Sequence, residues 1–169
     1  MSQHSAPPVT IAPADESTFD GLLALIAEYQ RFYDREPDEK RNRQFFGELL
    51  GDDTHGLQLV AREGDCAVGF ATLYWTRTST RATVVALLND LFVSPTHRGG
   101  RSDGVGDRLL QAAAHAASAR GYSLLRWQTA PENVSAQSLY NRFIGAAEEP
   151  GSAAPWIEYS CPLPYARKP

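Results

Sequence analysis

The sequence has few cysteines and lacks both long apolar runs and runs of like charge. Cys66 and Cys161 are its only cysteines, too few for a disulfide framework or a closed zinc site, and we expect both to be small, buried or half-buried apolar residues. No apolar run approaches the roughly 18 residues of a membrane span, and no basic segment followed by an apolar one opens the sequence. A soluble, cytoplasmic protein with no membrane partner is expected.

Basic patches and metal-ligand spacings are also missing. Sixteen Lys and Arg against 20 Asp and Glu give a formal net charge of -4, and without a basic stripe no nucleic-acid partner is expected. The four histidines are scattered, so no metal site is predicted. There is no Gly-x-Ser-x-Gly motif for a serine nucleophile. The acidic balance suits a cationic substrate, and equally a merely solubilising surface.

What is present indicates one α/β domain over residues 1–169. Apolar residues make up 43% of the chain and charged residues 21%, as in an ordinary globular domain, with residues 1–7 expected to be a disordered tail. Apolar periodicity and turn residues predict strands at residues 9–12, 57–61, 66–75, 81–93, 124–129 and 156–161. Helices are predicted from Phe19 to about Arg35, from Pro37 to Leu50 with an apolar face that includes Phe45, from Val105 to Arg120, and after a cap at Asn133 or Ser135.

The most informative stretch is a glycine-rich loop between the long fourth strand and the third helix. It follows Leu91–Val93 and reads Arg101, Ser102, Asp103, Gly104, Val105, Gly106, in the pattern R/Q-x-x-G-x-G/A. Backbone N–H groups at such a helix N-terminus can bind a pyrophosphate. A P-loop would need Gly-Lys-Ser/Thr and a dinucleotide fingerprint a third glycine at Leu109, and neither is present.

This loop resembles the acetyl-CoA loop of the GNAT family of N-acetyltransferases, and the element order resembles that family along nearly the whole chain. The resemblance implies a mixed central sheet of about six or seven strands flanked by about four helices, with acetyl-CoA as co-substrate. Residues 101–106 would form the phosphate turn. The Gly-x-Gly comes three residues late, which makes the loop a lengthened one and leaves Arg98 as a second phosphate or rim contact.

Further positions follow from the same resemblance. The family pairs the pantetheine arm with backbone groups at the positions of Leu91, Phe92 and Val93. The segment from Asn133 to Tyr140 resembles its N-x-x-A-x-x-L/F-Y pattern, in which the asparagine belongs to the coenzyme site and the tyrosine is the general acid for the leaving thiolate. A core tyrosine is the alternative for Tyr140. Gly145 stands five residues after Tyr140 where the family usually places a glycine four after.

The acceptor side resembles the diamine acetyltransferase branch over Gly69–Ala71 and Asn89–Val93. That branch has two adjacent acids where this chain has Asn89 and Asp90, which leaves polyamine acceptance open. Asp90 would bind or help deprotonate the amine, the alternative being a structural strand-edge acid. Acids of the first two helices are further candidates for attracting an amine, with a solvated surface as the alternative: Glu28, Asp34, Glu36 and Asp38. Aromatic residues that wall the acceptor pocket or else belong to the core are Tyr74, Trp75, Trp127 and Trp156.

The resulting hypothesis is a cytoplasmic N-acetyltransferase that moves the acetyl group of acetyl-CoA to a primary amine of a small molecule by direct attack. Two alternatives remain: a catalytically idle acyl-CoA-binding sensor and an acetyltransferase of proteins or peptides. The sequence leaves the oligomeric state open, with a homodimer as one expectation.

Overall fold

The structure, a computed structural model, describes residues 8–99 and 104–145. Five strands and four α-helices occupy these ranges. The strands are β1 (Val9–Pro13), β2 (Gly56–Glu63), β3 (Cys66–Thr78), β4 (Thr83–Val93) and β5 (Leu125–Arg126). The helices are α1 (Phe19–Phe32), α2 (Glu39–Gly47), α3 (Val105–Ala119) and α4 (Val134–Gly145), and a single 3₁₀ turn, Pro95–His97, follows β4.

The strands form one sheet in the order β1-β2-β3-β4-β5. The first four strands are antiparallel, and β5 runs parallel to β4. The predicted α/β architecture with a mixed sheet is therefore confirmed. The described ranges hold five strands where six or seven were expected. The strand predicted at residues 124–129 is only two residues long, because Gln128 and Thr129 leave the sheet to line a cleft, and the strand predicted at 156–161 lies outside the described residues.

Two apolar layers cover the sheet. On one face α1 packs against side chains that include Phe70 and Phe92. On the other face α3 presents a narrow stripe that includes Ala113 and Ala117, as its small-residue spacing predicts, and α4 adds partly buried side chains to the same layer. Small side chains let a helix approach a sheet closely. None of the helices in the described ranges is long and apolar enough to cross a membrane.

Polar side chains fix the ends and the mutual position of the first two helices. Asp15 accepts a hydrogen bond from the Thr18 N–H (2.9 Å), and Asp38 caps α2 by accepting from the Arg41 N–H (2.9 Å). The amides of Gln30 and Asn42 bond reciprocally at 2.9 and 2.8 Å, which holds α2 against α1. Satisfied amide pairs of this kind make a buried polar contact specific.

Three details of the predicted elements are wrong. The first helix ends at Phe32 rather than near Arg35, since Asp34 takes a left-handed conformation (φ 55°) that cannot continue it. Phe45 is 56% exposed, because the inward side of α2 is the one with the buried Asn42 and with Phe46, which packs against the core, and Phe45 lies about 100° around the helix from Phe46. Cys66 is exposed rather than buried, because it pairs with Glu63 directly beside the hairpin turn. Cys161 lies outside the described residues.

A cluster around Trp75, near the C-terminal end of β3, joins three segments of the chain. The Trp75 indole N–H donates to the Asp53 carbonyl oxygen (2.7 Å), and the Arg120 guanidinium lies 4.9 Å from the centroid of that ring while pairing with the Asp53 carboxylate. Tyr122 packs on the other part of Trp75, with 5.2 Å between centroids. Trp75 therefore belongs to the packing of the sheet rather than to the wall of the cleft described next.

Candidate active site

A bulge in β4 sets the geometry of the site. Thr72 of β3 pairs with Asp90 and Leu73 pairs with Leu88, so Asn89 is an extra residue on β4. One extra residue reverses the alternation of a strand. Before the bulge, the Ala86 N–H donates towards β5, to the Leu124 carbonyl oxygen.

After the bulge, the backbone groups of even-numbered residues point towards β3 instead of β5. The Ser94 N–H donates to Val68 on the β3 side (2.9 Å). Backbone groups of alternate residues point the same way, so those of Phe92 also face β3. The N–H and C=O groups of Leu91 and Val93 consequently face the opposite edge, where β5 is no longer paired.

A cleft of about 390 Å³ opens at this edge. It exists because β4 and β5 are paired only at Ala86 with Leu125 and at Leu87 with Arg126. The cleft is bounded by the unpaired half of β4, the start of α3, the inner face of α4 and the end of α1. Predicted site residues in its lining are Leu91, Phe92, Val93, Arg98, Gly104, Val105, Gly106, Asn133 and Tyr140.

The start of α3 offers an anion site to this cleft. Gly104 is its N-cap in an extended conformation (ψ 167°), and no side chain of the described residues caps the helix there. The first-turn N–H groups of a helix lack intrahelical acceptors and carry the positive end of its dipole. A Cβ added to Gly106 would lie 3.2 Å from Leu139 Cδ2, so the glycine lets α4 approach α3. This half of the predicted phosphate turn thus fits a phosphate; Arg101, Ser102 and Asp103 lie outside the described residues.

Arg98 is part of the wall of the cleft. Its Nε donates to the Val93 carbonyl oxygen (2.7 Å), and its guanidinium lies 5.0 Å from the ring centroid of Phe92 and 5.5 Å from that of Phe32. Cation–π contacts at these distances hold the guanidinium between the end of α1 and β4. Arg98 therefore satisfies the Val93 carbonyl oxygen, one of the backbone groups that face the cleft.

Tyr140 projects into the same cleft from α4. Asn133 caps this helix by accepting a hydrogen bond from the Ala136 N–H (3.2 Å), as predicted, and the Tyr140 ring lies 5.5 Å from the Trp127 ring. Burial, together with the nearby Tyr33 phenol, raises the pKa of Tyr140 to about 12. The phenol is thus protonated throughout the neutral range.

Asp90 is not among the residues that line the cleft. It accepts a hydrogen bond from Asn89 Nδ2 (3.1 Å). Burial and, next, the Asp90 charge raise the pKa of Tyr29 well above its usual value, and the same two causes raise that of Tyr74. Tyr29 and Asn89, which interact with Asp90, both line the cleft. The candidate acids Glu28, Asp34, Glu36 and Asp38 are exposed and outside this lining.

Several cleft residues were not predicted from the sequence. Three aromatic residues from the end of α1 form one wall: Tyr29, Phe32 and Tyr33. Asp107 and Arg142 line the opposite part. A signal for Arg142 was available, since it follows Leu139 by three residues and therefore shares its helical face. Within the described ranges, no three His, Cys, Asp or Glu side chains cluster in a way that could hold a metal ion.

Comparison with known proteins gives a consistent picture. The model of the acetyltransferase (GNAT) family matches residues 22–146. An uncharacterized N-acetyltransferase, YhfO, of Bacillus subtilis (strain 168) is 32% identical over 134 residues, covering 79% of this chain and 87% of that protein. The thialysine N-epsilon-acetyltransferase of Bos taurus is 27% identical over 149 residues, covering 83% and 85%.

A solved structure adds the fold. The aminoglycoside N-acetyltransferase AAC(6')-Iy in complex with CoA superposes with a TM-score of 0.71 at 18% identity, covering 95% of this chain and 100% of that one. The protein thus belongs to the acetyltransferase (GNAT) family. It is an acetyl-CoA-dependent N-acetyltransferase.

Proposed function

We propose that this protein transfers the acetyl group of acetyl-CoA to a primary amine of a small molecule by direct attack, with Tyr140 as general acid. The observation that carries the proposal is the convergence of three features on one cleft. They are the unpaired β4 edge at Leu91 and Val93, the N-terminus of α3 at Gly104–Gly106, and the buried phenol of Tyr140.

The coenzyme fits two of these features. Acetyl-CoA, when bound, supplies an activated acetyl thioester. The β4 edge can receive an extended pantetheine arm as a strand-like partner, and the N–H of Leu91 or Val93 can polarise the thioester oxygen. The first-turn N–H groups of α3 can receive the pyrophosphate. Asn133 keeps the start of α4 beside this space, as the cap of the helix that carries Tyr140.

Tyr140 would assist the departure of the thiol. With its pKa raised to about 12, the phenol is a persistent hydrogen-bond donor to the sulfur while negative charge develops there. A cysteine thiol has a pKa of about 8.5, so complete proton transfer from a phenol with a raised pKa to a thiolate of similar basicity is uphill. In this proposal Tyr140 acts as general acid by sharing its proton with the sulfur as the thiol departs.

The amine must lose a proton before or during attack. Asp90 accepts a hydrogen bond from Asn89 and interacts with Tyr29, and both of these side chains line the cleft. In this proposal its negative charge draws an ammonium group towards the cleft, and the ammonium proton passes through the Tyr29 hydroxyl or a water molecule to bulk solvent. Asp90 is a positioning residue in this scheme rather than a direct base.

The acceptor class is supported by the cleft wall and by the relatives. Tyr29 and Tyr33 give the acceptor half two aromatic side chains, and aromatic faces attract cationic amines, whereas the Phe32 ring already contacts the Arg98 guanidinium. The bovine relative acts on thialysine and the structural relative on aminoglycosides, both small amines. We therefore place the acceptor of this chain among small-molecule amines.

A thiol-release screen tests the proposal. Purified protein with acetyl-CoA is offered polyamines, amino acids, aminoglycosides and peptides, and coenzyme A release is measured together with mass spectrometry of the product. Acetylation of at least one small amine is expected. Binding of coenzyme A with no turnover would favour a sensor, and turnover of peptides alone would favour a protein acetyltransferase.

A further inference from the structure

Two charged side chains that line the cleft beside the start of α3 are paired with each other. Asp107, in the first turn of α3, is only 8% exposed. Arg142 Nη2 on α4 lies 3.3 and 3.2 Å from its two carboxylate oxygens, and Arg142 Nη1 donates to the Ser138 carbonyl oxygen (3.2 Å). About half of the Arg142 side chain (48%) remains exposed.

The position of Asp107 poses an electrostatic problem for a phosphate ligand. A carboxylate in the first turn of a helix is stabilised by the same positive end of the dipole that attracts an anion. It would also repel a pyrophosphate at Gly104–Gly106, and this repulsion grows as the ligand excludes water from the cleft. The site suits an anion only if the charge of Asp107 is balanced, and among the described residues Arg142 is the cation that pairs with it.

We propose that Arg142 is a positioning residue for coenzyme binding: by neutralising Asp107 it leaves the N-terminus of α3 free to receive the phosphate groups. This inference rests on the proposed function, because it requires the coenzyme in this cleft. A purely mechanical pair that fastens α4 to α3 is the competing explanation. The helices α3 and α4 already touch through Gly106 and Leu139. A mechanical pair would therefore affect mainly the free energy of unfolding, whereas an electrostatic role would affect the affinity for the phosphate-bearing coenzyme.

A double-mutant cycle separates them. The wild type, Arg142→Met, Asp107→Asn and the double variant are compared by calorimetric titration with coenzyme A. The same four proteins are assayed for kcat/KM with acetyl-CoA and with S-acetylpantetheine, which carries the thioester without the phosphates. Arg77→Met serves as the charge-matched control, because Arg77 is exposed at the far end of β3, outside the cleft lining.

Arg142→Met is expected to weaken coenzyme A binding about 5- to 20-fold, since it leaves the Asp107 charge unbalanced. Asp107→Asn is expected to tighten binding about twofold or more, and the double variant to return to within about threefold of the wild type. The kcat/KM for S-acetylpantetheine should stay within about twofold throughout, because that substrate has no phosphate to repel. Arg77→Met should match the wild type.

Three results would overturn the inference while the wild type binds coenzyme A: unchanged affinity in Arg142→Met, equal losses for the two thioesters, or no rescue in the double variant. The thermal unfolding temperature of all four proteins is measured to detect a mechanical role. In that case Arg142→Met and the double variant would be destabilised by the same amount. A wild type with no affinity for coenzyme A would instead reject the proposed function, and this inference with it.

Discussion

Removal of the Tyr140 hydroxyl is the most direct test of the proposed chemistry. Tyr140→Phe deletes one oxygen and keeps the ring that packs 5.5 Å from Trp127. With the phenol pKa raised to about 12 and a cysteine thiol near 8.5, complete proton transfer to a departing thiolate of similar basicity is uphill. The hydroxyl can therefore contribute mainly as a hydrogen bond to a charged sulfur.

Such a bond is worth about 1.5–3 kcal/mol, which corresponds to a loss of about 10- to 150-fold in kcat. Affinity for acetyl-CoA and the free energy of unfolding should stay close to the wild type, because the ring still fills its space. The assay is single-turnover thiol release, so that slow product release does not hide the chemical step. Tyr122→Phe is the matched control, since Tyr122 packs on Trp75 outside the cleft lining.

The pH dependence of the Tyr140→Phe effect follows from the raised pKa of the Tyr140 phenol. A phenol whose pKa is raised to about 12 loses its proton only as the pH rises through that value, so the donor is present across the whole range from pH 6 to about 10. The Tyr140→Phe profile should run parallel to that of the wild type in this range, lowered by a constant factor. Single-turnover rates within twofold of the wild type would refute the reasoning and make Tyr140 a core residue.

Three further outcomes are expected. Gly106→Val should weaken coenzyme A binding in calorimetry, because a Cβ there already reaches 3.2 Å from Leu139 Cδ2. Gly145→Val, where no described residue lies within 4 Å of an added Cβ, should not, and equal affinities would move the phosphate site. If residues 101–106 are the phosphate turn, Arg101→Ala should reduce affinity more than Arg98→Ala, and the reverse ranking would place the loop motif three residues earlier. Asp90→Asn should raise the amine KM or lower kcat while the acetyl-CoA KM is kept, and equal losses for both substrates would make Asp90 a structural acid.

The sequence was sufficient for the elements whose signals are local. The capping side chain of Asn133 predicts the start of α4, and the alanine spacing of α3 predicts the face that meets the sheet. The glycines at 104 and 106 mark the start of α3 correctly. These signals were readable because each depends on residues within one or two helical turns.

Features that depend on other segments could not be predicted in this way. The two-residue length of β5 depends on how far its pairing with β4 extends, and the interaction of Asp90 with Tyr29 depends on how α1 crosses the sheet. The pairing of Arg142 with Asp107 spans 35 residues of sequence. The residues next to each of these positions in the sequence carry no signal for its role, which depends on the packing of distant segments.

The extra residue Asn89 also determines how β4 tolerates change. Ala86 and Leu88 before the bulge, and Leu91 and Val93 after it, all pack on the α3 face of the sheet. The face that meets α3 is thus carried by even-numbered residues in the first half of the strand and by odd-numbered ones in the second. Val85 and Phe92, which have the opposite alternation, are buried as well. Deletion of Asn89 would place Asp90 directly after Leu88, make the ladder with β3 regular, and leave the backbone groups of Leu91 and Val93 directed at the cleft.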